Sequence, residues 1–180
     1  MKIEYAVAPI EVSQGSSRTE RQNKAVRLLV KQIAGEEAMV GHASDGAPFI
    51  VGRELSISIS HSRNFAAIAW CEDCGIQIGI DIEEAREEQL RRVVAKFLTR
   101  EESDYYRTIP SGLLRAWTLK EAAYKALRNG PPDLRLYHLP LNESDRTIKV
   151  DGRGELGIYF SSELEVSPGV WLSIVYRKSS

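Results

Sequence analysis

The chain has 180 residues, 43% hydrophobic and 27% charged, with 24 basic and 25 acidic side chains and a formal net charge of -1. That balance belongs to a globular protein and argues against a general nucleic-acid binder, which carries a basic excess. No run approaches the roughly 18 apolar residues needed to cross a bilayer, and the stretch from Met1 to Pro9 lacks the apolar core of a secretion signal, so a cytoplasmic location without membrane attachment is expected.

Residues 2–8 read as a short strand and 13–19 as a polar loop. From about Arg18 to Ala34 the apolar residues Val26, Leu29, Val30 and Ile33 recur at helical spacing, and Gly35 is a plausible stop. Arg18, Arg21, Lys24, Arg27 and Lys31 form a basic stripe on the same helix. The stripe reads either as a solvated face or as an anchor for a phosphorylated ligand or an acidic partner. A loop from Gly41 to Pro48 carries the turn signal Asp45-Gly46. Leu55 to His61 alternates as a strand, Phe65 to Cys71 is a continuous apolar run, and Ile76 to Glu83 alternates again. Three strands with short connections predict an antiparallel meander. Glu72-Asp73-Cys74-Gly75 between the last two reads as a hairpin turn that happens to carry thiols. A zinc site is disfavoured, because the chain has no other cysteine and its three histidines lie elsewhere.

Residues 84–98 are charged and then helical, and Thr99-Arg100-Glu101-Glu102 matches a capping box that starts a short helix. Leu113 to Arg128 is a strong helix ended by Asn129-Gly130-Pro131-Pro132. Residues 147–150, 155–160 and 170–176 read as strands. The two halves rhyme: each has a helix, a loop and about three strands, and Gly169 to Tyr176 echoes Asn64 to Trp70. The expected fold is a pseudo-duplicated α+β arrangement. Its lobes, residues 1–84 and 85–180, each pack a helix on an antiparallel three-stranded sheet, with the active site between them.

The chemistry concentrates in three segments. In Ile76 to Glu83 the four isoleucines share one face, while Gln77, Gly79, Asp81 and Glu83 share the other. Asp81 and Glu83 then stand side by side, next to a glycine that leaves room for approach. Two like charges that close need a cation or a donor between them. Mg²⁺ suits such hard oxygens, taking a few carboxylates together with waters and phosphate oxygens; alternation alone equally allows both groups to face solvent. Glu121 and Lys125, four apart on the later helix, share a face with Trp117. They are either an exposed helix pair or a metal ligand or base beside a phosphate contact. Ser60-His61-Ser62 ends a strand and either holds phosphate oxygens or is an ordinary polar strand end. Ser60 and His61 point to opposite faces, so they are not a nucleophilic pair.

Taken together these segments resemble the 4′-phosphopantetheinyl transferase superfamily. The resemblance rests on Ile78-Gly79-Ile80-Asp81-Ile82-Glu83 and on Trp117-Thr118-Leu119-Lys120-Glu121-Ala122-Ala123-Tyr124-Lys125, in that order. Ile57 to Ser62 and Phe97 to Glu102 also look like segments of its monomeric, two-lobed members, the surfactin-synthetase-activator type. The resemblance implies transfer of the 4′-phosphopantetheine moiety of coenzyme A to a serine of an apo acyl or peptidyl carrier protein, with release of 3′,5′-ADP. It implies Mg²⁺, or alternatively Mn²⁺, held by Asp81, Glu83 and Glu121. It makes Glu121 the base, and assigns CoA phosphate contacts to Lys125, Lys120, Ser60, His61 and Arg21, with Arg18 as an alternative to the last. One departure stands out: Gly46-Ala47-Pro48 has alanine where the family often has a basic residue, which leaves two expectations: weaker binding of CoA, or substitution by another cation such as Arg53 or Arg63. Two other readings remain open here. One is a non-catalytic homologue that binds CoA or a carrier protein; the other is a metal-dependent phosphohydrolase.

Overall fold

The structure, a computed structural model, describes residues 2–12, 14–73, 75–165 and 167–178. Met1, Ser13 and Cys74, named above, lie outside the described residues. The helix α1, Arg18–Ala34, starts at a capping box between Ser17 and Glu20 and ends where Gly35 turns to φ 97°. Its Ala25, Leu29 and Val30 are buried with Ile57, Ala66 and Ile68. Those partners lie in a three-stranded antiparallel sheet of order β1-β5-β4, formed by β1 Glu4–Pro9, β4 Ser56–His61 and β5 Phe65–Cys71. Between α1 and β4, the strands β2 Val40–His42 and β3 Pro48–Ile50 pair as a hairpin across Asp45-Gly46. The sequence shows the turn but not these strands, which are only three residues long and too short for a period to emerge.

The second sheet is also antiparallel, with order β6-β10-β9-β8-β7. Its strands are β6 Ile76–Glu84, β7 Tyr137–His138, β8 Thr147–Val150, β9 Gly154–Glu163 and β10 Val170–Lys178. The helices α2 Glu87–Val93, α3 Arg100–Tyr106 and α4 Gly112–Leu127 complete the fold, and α4 lies across β6 and β10. The α+β expectation with antiparallel sheets holds. The two segments that echo each other, β5 and β10, are both interior strands of their sheets. The second sheet has five strands, where the rhyme between halves asks for three.

The predicted meander stops at β5. Strand β6 pairs with β10 over Ile76–Glu84, not with β5, so the turn before it joins two sheets and is not a hairpin. In that turn Asp73 accepts from the backbone N–H of Ile76 through its carbonyl and from that of Gly75 through its side chain. The cause is that β6 is buried on both faces. Its isoleucines pack with Ala67, Ala69, Leu172 and Ile174, and its other face meets α4. The backbone edge of β6 opposite β10 still needs partners, since a buried unpaired N–H or C=O is costly. Side chains supply them. Ser58 Oγ accepts from Ile80 N at 3.1 Å, Ser60 Oγ accepts from Ile82 N at 3.5 Å, and Lys125 Nζ donates to Ile80 O at 3.0 Å. The alternating serines of β4 thus stitch the two sheets together. Strand β6, although in the first half of the chain, is an edge of the second sheet.

Gly79 has a different use from the one expected. The space over it is filled by α4, not left open to a ligand: a Cβ there would overlap the Ala122 carbonyl oxygen and come within 2.6 Å of Ala126 N. Gly79→Ala should therefore push α4 off β6 and cost about 1–3 kcal/mol, the usual effect of overpacking. Urea unfolding reads this directly; an unchanged midpoint would show that the helix has slack at this point. Among the described residues no helix is long and apolar enough to cross a membrane.

Candidate active site

Strand β6 carries Asp81 into the seam between the sheets, where only 5% of it is exposed. Asp81 Oδ1 accepts from Ser60 Oγ at 2.8 Å and from Lys125 Nζ at 2.8 Å. Lys125 reaches down from α4 and spends its other two protons on Ser60 Oγ and Ile80 O, both at 3.0 Å. Among the described residues, Asp81 Oδ2 is buried without a partner. A buried carboxylate oxygen in that state carries its full desolvation cost, and a cation or donor placed there recovers it.

Glu83 stands two residues further along the strand and is half-buried. Its Oε1 accepts from Arg86 Nη2 at 2.6 Å and from Trp117 Nε1 at 3.2 Å. The Arg86 guanidinium lies 5.1 Å from the centre of the Trp117 ring, and that ring packs edge-on to Phe97. Burial, and then the neighbouring charge of Asp81, push the Glu83 carboxyl above the usual carboxylate range, against the pull of Arg86, the indole N–H and Lys125. Glu121 responds in the same way: burial and then Asp81 raise it, while Lys125 and Arg86 oppose. Three carboxylates therefore share one field, with Asp81 repelling both glutamates. Among the described residues no three acidic, histidine or cysteine side chains are already gathered around a common point; Lys125 pairs with Asp81, and Arg86 with Glu83. The donor set is all oxygen, carries excess negative charge and includes an orphaned buried oxygen. That chemistry fits a hard divalent cation such as Mg²⁺.

Of the expected site residues, Asp81, Glu83, Glu121 and Lys125 fall in this one region. Ser60 joins them, buried, as the hydroxyl that orients Asp81. His61, the next residue, is exposed at the end of β4. Arg21 sits in the first turns of α1 and donates through Nη1 to Ser16 O at 2.8 Å. Lys120 is a correction. Its side chain is wholly buried, and Nζ donates to Glu102 Oε2 at 2.7 Å and to Leu134 O at 3.1 Å. One residue of helix rotates it about 100° away from Glu121, into the core, where it reaches no phosphate. Arg53 also lies elsewhere, donating to Ala34 O at 3.3 Å. Sequence reasoning missed Arg86. Its contact with Glu83 forms across a strand-to-helix bend, which no period marks. Trp117 was visible through its spacing to Glu121 and Lys125 and as the first residue of the helix motif, but its hydrogen bond to Glu83 was not.

The family model described as the 4′-phosphopantetheinyl transferase superfamily matches residues 77–168, just over half of the chain. The match runs from β6 through α4 and β9, and so includes Asp81, Glu83, Glu121 and Lys125. The protein belongs to that superfamily. No curated protein matches the sequence closely enough to add to this.

Proposed function

We propose that the protein transfers the 4′-phosphopantetheine moiety of coenzyme A to a serine of an apo acyl or peptidyl carrier protein and releases 3′,5′-ADP. The observation that carries this reading is the orphaned Oδ2 of Asp81, buried in one electrostatic field with Glu83 and Glu121 on the segment that matches the superfamily. Asp81, Glu83 and Glu121 are the residues that would hold Mg²⁺. When bound, the ion would neutralise charge developing on the transferred phosphoryl group.

The chain's own groups have separable tasks. Ser60 and Lys125 fix Asp81, while Trp117 and Arg86 fix Glu83. Lys125, part-buried, brings positive charge toward a diphosphate. Glu121, on α4 beside the Asp81 charge, is the carboxylate that would take the proton of the incoming carrier serine. The serine oxygen bonds to the β-phosphorus of coenzyme A, the phosphoanhydride bond to 3′,5′-ADP breaks, and the serine proton passes to Glu121. The contacts that join Ser60, Asp81 and Lys125 close between the two sheets and α4 of the same chain, and this, with the two-lobed resemblance, supports action as a monomer. Coenzyme A and carrier proteins as substrates support a cytoplasmic setting.

Incubating the protein with an apo carrier protein, coenzyme A and Mg²⁺ should add one phosphopantetheine arm, read by intact mass. No gain on fatty-acid, polyketide and peptide carriers alike, with a control enzyme active, would overturn the proposal. Mg²⁺ should also raise the melting temperature. At a concentration a hundredfold above its dissociation constant, the ion adds about 2.7 kcal/mol. Asp81→Asn should remove most of that gain; an equal rise in the variant would take Asp81 out of the metal site.

A further inference from the structure

A cavity of about 360 Å³ opens beside Lys125, between the β2–β3 turn and the C-terminal end of α4. Ile57 and Ile59 form part of its apolar lining, and Ala47, Tyr124 and Arg128 line it as well. Lys125 is common to this cavity and to the Asp81 cluster. A long ligand whose reacting phosphate lies near Asp81 therefore has this space for the portion beyond Lys125. Aliphatic walls and the exposed ring of Tyr124 suit a flat heterocycle.

The unusual residue here is Arg128. Among the described residues its guanidinium has no hydrogen-bond or ion-pair partner. Its backbone holds φ 43° and ψ 140°, in the positive-φ range that disfavours any residue with a Cβ. This is the position after a helix where glycine is the ordinary solution, and glycine does follow, two residues later, at Gly130. A basic charge at the negative end of α4 needs no such backbone, and Lys125 already provides one in the last turn. Backbone strain kept at a cavity is a pointer to use. The other candidates in the lining offer less. Ala47 has no charge, and the carboxylate of Asp45 accepts from Ala47 N at 3.0 Å. A guanidinium free of internal partners matches a phosphomonoester dianion through two parallel N–H bonds.

We propose that Arg128 is the specificity-determining residue of this cavity, and that it recognises the 3′-phosphate on the nucleotide end of coenzyme A in place of a cation at Ala47. This rests on the function proposed above, and its test separates the two. In the carrier-modification assay the native protein should prefer coenzyme A over 3′-dephospho-coenzyme A. Arg128→Gly should lower kcat/KM for coenzyme A by about ten- to a hundredfold, as expected for a lost charge-assisted contact. The loss should fall mainly on KM, leave the dephospho substrate nearly unaffected, and leave the melting temperature unchanged or raised, because glycine relieves the backbone. Arg128→Lys should retain part of the preference. An Arg128→Gly protein that still discriminates, or that loses both substrates equally, overturns the inference while the transfer reaction stands. Calorimetry with 3′,5′-ADP and 5′-AMP reads the cavity without turnover. If the native protein binds 3′,5′-ADP more tightly and Arg128→Gly erases the difference, the inference survives even where no carrier is modified. Equal binding of the two nucleotides by the native protein overturns it.

Discussion

Asp81→Ala should lower phosphopantetheine transfer by about 10²–10³-fold or more, the scale seen when one preorganised electrostatic group is removed, while the protein stays folded. The asymmetry follows from what Asp81 touches. Its Oδ2 stabilises nothing in the fold, because it has no partner. Its Oδ1 shares Lys125 and Ser60, and those two keep each other and Ile80 O when the carboxylate is gone. Lys125 is also part-exposed, so its charge is not stranded. Repulsion of Glu83 and Glu121 by Asp81 disappears as well, which offsets part of the lost ion pair. Circular dichroism and thermal melting should therefore change little, and single-turnover transfer should fall steeply. Transfer at the native rate would remove Asp81 from the chemistry altogether.

The second large effect concerns folding. Lys120 and Glu102 form a wholly buried ion pair between α4 and α3, with side-chain exposures of 0% and 4%. Removing one member of such a pair costs about 3–5 kcal/mol, because the other charge is left buried. The two removals are not equivalent. Glu102 also accepts from Thr99 N at 2.8 Å and from Leu139 N at 2.8 Å. It caps α3 and pins the segment leading to β8, so Glu102→Leu should cost more than Lys120→Met. The double variant should recover part of the loss, and chemical denaturation of all four proteins measures the coupling. Should Lys120→Met instead lose transfer with no loss of stability, Lys120 would belong to the active site after all.

The same pair sets a pH dependence. Burial, partly opposed by Glu102, holds the Lys120 ammonium below its ordinary value of 10.5. The unfolded chain then binds more protons in the window below 10.5, so this group's burial costs stability at neutral pH and costs less as pH rises through that window. Without Glu102 the depression deepens. The stability deficit of Glu102→Leu relative to native should accordingly shrink between neutral pH and about pH 10, as the linkage sign requires.

Local patterns were legible in the sequence because they depend on neighbours a few residues apart. The apolar stripe of α1 with Gly35 behind it, the capping box at Thr99 and Glu102, and the alternation of Ile76 to Glu83 are all of this kind. So was the grouping of Trp117, Glu121 and Lys125 on one helix face, and with it the acidic cluster that the superfamily match covers. Pairings between distant segments were not. Nothing within nine residues of β6 says that its partner is β10, nearly a hundred positions away, or that Ser58 and Ser60 close its other edge. Gly79 reads as open space until α4 is laid over it. Lys120 and Glu121 are adjacent in the chain, yet one enters the core and the other the site, because a helix turns about 100° per residue and only packing decides which face meets what. The residue types and their local periods were written in the chain. Which buried charge is matched, which oxygen is left orphaned and which arginine lines the cavity were decided when sheets and helices closed on one another, since those are properties of contacts between distant segments.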